Sequence, residues 1–530
     1  MREHVIAVDV GTGSARAGLF DRHGRMLARA DHPIVMHRPK AGHAEHQSDD
    51  IWAAVCRVVQ QVRRDAGLPA AAIAAIGFDG TCSLVVRDVN GAPLSVTEDE
   101  TSPYDTISWM DHRAIDEALA CNSIDHPALA PNNGHMSPEM QIPKLMWLKK
   151  HLESRWNKVG YLFDLADFLT WKATGNNARS ACTLTAKWNY MAHETQGWSA
   201  GFLAQAGLSD LQDRGRLPDL GLPVGHRIAP LSALASADLG LDPQCLVGPG
   251  LVDAYAGVLG SLGRYAGEED QIQKHFALVG GTSSCVVALS RDRKAGAGLW
   301  GPYFGALMPD FWLVEGGQSA SGALLDYVVR MHASGGEPDA ARHRAIIDRI
   351  DVLRQSEGAS FAAGLHVLPD FHGNRSPFGH PQPGGVVTGL SLDMSFDGLC
   401  KLYYRTAVGI AFGMRQILEQ FHTNGYQGES LHLAGGHMHN ALLVRLYGEI
   451  CGYDLVLPSD TIDVVLLGNA MAASVTGGLH GDLPMAGKAM AFQEIRRAHD
   501  GKSQAFFARD YDVFKLMQRQ RDDVRAVLSR

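Results

Sequence analysis

The sequence predicts a two-domain α/β protein, and three observations carry that expectation. The chain has 530 residues, well past the roughly 250–300 at which a single hydrophobic core stops growing. Its first 90 residues read strand, turn, strand, helix, strand, an order that belongs to an α/β layer and not to a sandwich. The opening motif also recurs. An apolar strand, Val5-Ile-Ala-Val-Asp9-Val, runs into the turn Gly11-Thr12-Gly13-Ser14, and His275-Phe-Ala-Leu-Val-Gly280 runs into Gly281-Thr282-Ser283. Two such hairpins point to two related halves closing on one nucleotide.

In order along the chain, residues 5–10 and 15–20 pair as strands about the Gly-Thr-Gly turn. A helix starts near Asp49-Asp50-Ile51-Trp52 and runs through Val62, with Ser48 or Asp49 as its N-cap. Residues 73–78 form a short buried strand ending at Asp79-Gly80-Thr81-Cys82-Ser83. Residues 84–88 form the next strand, closed by an Asn90-Gly91 turn. From 142 to 175 the pattern reads as helices, and Pro/Gly punctuation makes 198–245 loops or a small subdomain. Gly250-Leu251-Val252-Asp253 then opens a helix whose small residues, Ala254, Ala256 and Gly257, leave room for a ligand. A polar break over 260–273 puts the domain boundary near 265, giving domains 1–265 and 266–530. The second half repeats the strand and turn and continues with a strand at 311–314. It adds amphipathic helices over 402–421 and 439–451, with a strand into Gly435-Gly436 between them.

Composition narrows the partners. Hydrophobic residues make up 45% and charged residues 20%, which is ordinary globular usage. The net charge of −9 and the lack of a long basic block argue against nucleic acid and anionic membrane. Eight cysteines with no Cys-x-x-Cys pair read as reduced, mostly buried thiols. Arg2 and Glu3 lead straight into a strand, so no signal peptide is expected. The apolar run 464–480 is too short and too broken by glycine to span a membrane. A cytoplasmic, soluble protein is expected.

Gly11-x-Gly13-x-x-Arg16 lacks the third glycine of a dinucleotide fingerprint, and a strand follows where a helix should. No Gly-x-x-x-x-Gly-Lys-Ser/Thr loop is present. What remains is a phosphate cradle: small residues let backbone N–H groups approach an anion, and the Thr12 and Ser14 hydroxyls add donors. Asp9 can hold Mg²⁺ directly or through a water, because Mg²⁺ prefers oxygen ligands and keeps waters. One such turn alone could be purely structural; three, at 11–13, 280–282 and 435–436, favour a nucleotide. His43-x-x-His46 and His437-x-His439 lack helical i, i+4 spacing and a carboxylate set, so neither is read as a metal site. Gly317-Gln-Ser319-Ala-Ser321 misses the nucleophile-elbow pattern.

Together with Gly42-His-Ala-Glu45-His-Gln47, Lys144-Leu-x-Trp147-Leu and Gly250-Leu-Val-Asp253-Ala, these motifs resemble the FGGY carbohydrate kinase family. The resemblance covers almost the whole chain, in the family's order. It implies an α/β fold of two actin-like ATPase (ribonuclease H-like) domains with an interdomain active-site cleft. ATP and Mg²⁺ are the implied cofactors, and a homodimer is the implied assembly. Asp253 falls where the family has its catalytic Asp, beside the sugar hydroxyl; an ordinary helix N-cap is the other reading. The pattern implies Gly11, Thr12, Gly13, Ser14 and Arg16 around the phosphates. It implies Gly281 and Thr282 facing them and Gly436 and Asn440 near adenosine; an ordinary strand-end charge is the other reading of Arg16, and a helix N-terminal polar residue that of Asn440.

For the sugar, Thr81 and Cys82 align with a polyol-contacting segment, and Trp109 and Asp111 lie in a Trp-x-Asp-x-Arg segment. Lys187 and Glu315 fall where ribulokinases carry sugar-binding residues. The runs at 77–86, 141–149 and 187–188 most resemble D-ribulose kinases, so D-ribulose is the first expected substrate. Ribitol or L-ribulose follow, then D-xylulose. Glycerol is disfavoured, because Thr81-Cys82 stands where glycerol kinases have Arg-Glu. A non-catalytic sugar or nucleotide sensor is the alternative of a different class.

Overall fold

The computed structural model describes residues 2–528 except 133–134, 383, 460–461 and 500. Two sheets of one plan form its core. In the first, His4–Val10 and Ser14–Asp21 make the hairpin and Met26–Pro33 extends it, all antiparallel. Ile73–Gly80 then returns parallel to His4–Val10, setting Asp79 opposite Asp9. In the second, His275–Gly280, Ser284–Ser290 and Trp312–Gln318 run antiparallel. Ser430–Ala434 then returns parallel to His275–Gly280. The repeated motif is therefore a repeated topology. The central strands are buried on both faces, so they read as continuous apolar runs, and the carboxylates of Asp9 and Asp79, both fully buried, stand out against them.

Two helices cross between the sheets. Asp253–Leu262 belongs to the first half but packs on His275–Gly280. Val464–Thr476 belongs to the second half but packs on His4–Val10 and Ile73–Gly80. The helices touch backbone to backbone: a Cβ on Gly468 would lie 1.9 Å from the Ala256 carbonyl oxygen, and one on Gly260 2.0 Å from that of Val464. Ala256 and Gly257 thus serve helix packing; of the three small residues read as ligand room, only Ala254 reaches the cleft.

Local readings differ in three places. The stretch 142–175 holds helices at Gln141–His151 and Leu165–Thr174, but a strand, Val159–Asp164, lies between them. It pairs antiparallel with Leu84–Asp88. A six-residue apolar run has no periodicity that separates strand from helix, so the sheet partner decides. Neither Ser48 nor Asp49 is the N-cap of Ser48–Asp65; Gln47 is, without a side-chain bond. Asp105, from another segment, accepts from Ser48 N at 2.8 Å and supplies the missing acceptor. Between 198 and 245 lie short helices, Ala200–Gln205, Leu211–Gly215 and Ala233–Leu239.

Candidate active site

The glycine turns of the two sheets face each other across a cleft of about 340 Å³, within the range of small-ligand sites. From the first half it is lined by Asp9, Gly11, Thr12, Gly13, Ser14, Arg16, Thr81, Cys82, Trp109, Lys187 and Asp253. From the second half come Gly281, Thr282, Glu315 and Gly436. Fifteen of the seventeen residues singled out in the sequence therefore share one cavity.

The end lined by the glycine turns is open. A Cβ built on Gly13 or on Gly281 would meet nothing within 4 Å, so both turns present bare backbone to the cavity. Gly435 has φ +80°, and a Cβ there would lie 2.5 Å from the Gly280 carbonyl oxygen; only glycine fits. A histidine pins each glycine turn from outside. His46 Nε2 lies 3.1 Å from the Thr12 carbonyl and His437 Nε2 lies 3.1 Å from the Gly281 carbonyl. A carbonyl only accepts, so both nitrogens donate. Burial lowers the pKa of both rings, that of His437 to about 4. The two histidine pairs noted in the sequence thus each give one neutral clamp on a turn.

Asp9 and Asp253 line the floor, and Asp79 is buried opposite Asp9 on the neighbouring strand. Asp9 pairs with Arg16, and Asp79 accepts from Asn469 Nδ2 at 2.6 Å. Asp253 starts the helix Asp253–Leu262 and accepts from Ala254 N at 2.7 Å. Burial raises the pKa of all three. Asp9 reaches about 6 even though Arg16 pulls it down, with Asp253 and Asp463 adding to the rise. Asp79 is raised further by Asp9 and Asp253. Asp253 is raised above the ordinary carboxylate value while Arg16 and Lys187 oppose the shift.

The other end is built from ion pairs and indoles. Lys187 Nζ donates to Glu315 Oε1 at 2.7 Å across the two halves. Burial pulls the Lys187 pKa down, but Glu315 outweighs it and the net shift is upward. Lys187 also stands 4.4 Å from the centre of the Trp300 ring. Trp109 Nε1 donates to Thr12 Oγ1 at 3.0 Å, tying this end to the N-terminal hairpin. Cys285 Sγ lies 3.4 Å from Glu315 Oε2; burial raises the thiol pKa of both Cys82 and Cys285.

Two expected residues lie outside the cavity wall. Asp111 accepts from Ala44 N at 2.6 Å and pairs with Arg113, which also holds Glu45. A buried arginine needs those carboxylates, so Asp111 braces the 42–47 segment. Asn440 caps the helix Ala441–Ile450, accepting from Leu443 N at 3.0 Å and donating to Tyr403 Oη at 3.0 Å. Conversely, the cavity is lined by Glu139, Trp300 and Arg375, which no motif marked. The only sequence signal near Arg375 is the turn chemistry of Gly373-Asn374 and Pro377, and that says nothing about where the side chain goes.

Among the described residues no group of three or more His, Cys, Asp or Glu could cage a metal ion. Mg²⁺ needs no such cage, since it binds through one or two carboxylates with phosphate oxygens and waters. Asp9 lines the cavity beside the turn, and a single carboxylate there suits that mode. No helix among the described residues is long and apolar enough to cross a membrane.

Comparisons with known proteins agree with this architecture. The model of the FGGY carbohydrate kinase N-terminal domain matches residues 4–260, and that of the C-terminal domain matches 276–477. An FGGY carbohydrate kinase domain-containing protein of Homo sapiens is 40% identical, over 98% of this chain and 97% of its own. A D-ribulokinase of Saccharomyces cerevisiae is 35% identical, over 88% of this chain and 71% of its own. The crystal structure of a xylulose kinase from Rhodospirillum rubrum superposes with a TM-score of 0.75 at 21% identity, covering 98% of each chain. At that identity the last match speaks for the fold alone.

Proposed function

The chain belongs to the FGGY family of carbohydrate kinases, and on that premise we propose that it phosphorylates D-ribulose to D-ribulose 5-phosphate with ATP. The observation that carries the reading is the convergence in one cavity of Asp253, both glycine turns and the Lys187–Glu315 pair. Similarity to the yeast D-ribulokinase supports D-ribulose over the related acceptors.

On this reading the sugar lies between Trp109 and Trp300, with hydroxyls on Lys187, Glu315, Thr81 and Cys82. Asp253 accepts the proton of the reacting hydroxyl, and its raised pKa makes it a better acceptor near neutral pH than an ordinary carboxylate. The hydroxyl oxygen bonds to the γ-phosphorus as the bond to the bridging oxygen breaks, and ADP leaves. Thr12, Gly13, Ser14, Gly281 and Thr282 donate to phosphate oxygens, fixed in place before charge develops on them. Arg16 adds a cation, and Gly436 makes room beside the adenosine. Asp9 would hold Mg²⁺, directly or through a water, and the ion would neutralise phosphate charge. The sugar end is charge-balanced, with Lys187 and Arg375 against Glu315 and Glu139, which suits a neutral polyol better than a sugar acid.

The test is ADP release by purified protein with Mg-ATP across D-ribulose, L-ribulose, D-xylulose, ribitol, glycerol and gluconate. D-ribulose should give the highest kcat/KM, with gluconate at least about 100-fold lower, a difference of roughly 3 kcal/mol for an unpaired anion in a buried site. A higher kcat/KM for L-ribulose, ribitol or D-xylulose would move the assignment to that sugar. No stimulation by any of them would end the pentulose reading.

A further inference from the structure

We propose that Arg375 is a sugar-binding residue contributed by the second half of the chain. It presents a fork of donors to an acceptor oxygen of the substrate other than the oxygen that is phosphorylated. The proposal rests on the kinase reading above.

The loop that carries Arg375 follows the strand His366–Leu368 and is held firmly. Asn374 N donates to the His380 carbonyl at 2.7 Å, and the Asn374 side chain accepts from Phe378 N at 3.1 Å. The Asp370 carbonyl accepts from Gly373 N at 3.2 Å and Gly384 N at 2.8 Å, while Arg521 pairs with the Asp370 carboxylate. The guanidinium lies 4.8 Å from the Trp300 ring centre and 5.7 Å from that of Trp109.

Across the cleft, Arg375 Nη2 donates to Glu139 Oε2 at 2.6 Å. Glu139 is itself held by Ser319 Oγ at 3.1 Å and faces His112 Nε2 at 3.5 Å. The Arg375 side chain is only 9% exposed, and its Nε is buried with no hydrogen-bond partner among the described residues. Arginine carries five donors, and the Glu139 bond uses one. Arg375 lines the cavity, so its remaining donors can meet an oxygen that arrives with the ligand. Lys187 stands against the same indole but is already matched to Glu315. Because Glu139 and Arg375 come from opposite halves, both halves build this part of the pocket.

The experiment is steady-state kinetics of the full chain and of R375Q, R375K and E139Q, with D-ribulose and ATP varied separately. R375Q should raise the sugar KM at least 30-fold and leave the ATP KM within threefold. R375K should keep the sugar KM at least tenfold high, since an ammonium cannot present the fork. A sugar KM within threefold of wild type in R375Q, or an ATP KM rising in step with it, overturns the proposal. If R375Q does not fold, E139Q decides: a sugar KM raised threefold or more with unchanged ATP KM is expected, and no change overturns the assignment. A wild-type protein that turns over no sugar defeats the kinase reading instead. Calorimetric sugar binding then still tests Arg375: D-ribulose should bind R375Q at least tenfold more weakly than wild type, and equal affinity overturns the assignment.

Discussion

On the proposed reading, Asp253 takes the proton and Asp9 meets charge. Asp253→Asn keeps shape and loses the proton acceptor, so kcat should fall by roughly 10²–10⁴ while calorimetry still detects sugar binding. Turnover near wild type would remove Asp253 from the base role. Asp9 gives a pH signature. Its folded pKa of about 6 exceeds the ordinary 3.8, so the protonated form favours the folded state. That contribution is full below about pH 4 and lost as pH rises through about 6, a cost of roughly 3 kcal/mol by neutral pH. A cation that prefers the ionised carboxylate offsets the cost. Mg²⁺ should therefore raise the melting temperature more at pH 7.5 than at pH 5, and Asp9→Asn should abolish the difference. Equal shifts at both values would show that Mg²⁺ does not engage Asp9. These residues were legible in the sequence because Asp9 stands at the end of an apolar strand beside a glycine turn and Asp253 follows a short strand where a helix begins. Asp111 misled for the opposite reason: its motif is real, but a buried Arg113 claims it.

The elements that matter most are the two crossing helices. Gly468→Ala would drive a Cβ to 1.9 Å from the Ala256 carbonyl and 2.5 Å from Gly260 N. Backbone cannot step aside as a side chain can, so the helices must separate. Overpacking of this kind costs about 1–3 kcal/mol or more, and the melting temperature should fall, together with kcat, because Asp253 rides on one of the helices. An unchanged melting temperature would mean that the crossing is looser than the structure has it. The hairpins and long helices were readable from periodicity and turn residues. Val159–Asp164 was not, because a short apolar run takes its identity from its partner, and the small residues after Asp253 looked like space for a ligand when their neighbour was another helix.

The whole molecule is held around its cleft by charge pairs that cross from half to half. Lys187 and Glu315 are both buried, and removing one partner leaves the other charge unpaired, a loss of about 3–5 kcal/mol. Lys187→Met and Glu315→Gln should each destabilise the protein more than the double variant does, read by chemical denaturation. Additive losses would show that the pair contributes no coupling. The sequence by itself determined the α/β class, the repeated hairpin and the glycine turns, because local backbone chemistry writes those features into consecutive residues. Only the tertiary structure decided that Glu139 meets Arg375, that Trp109 reaches Thr12, and that a helix from the second half braces the first sheet. Those contacts join residues about 100 to 460 positions apart, and chain folding, not any local pattern, brings such side chains together.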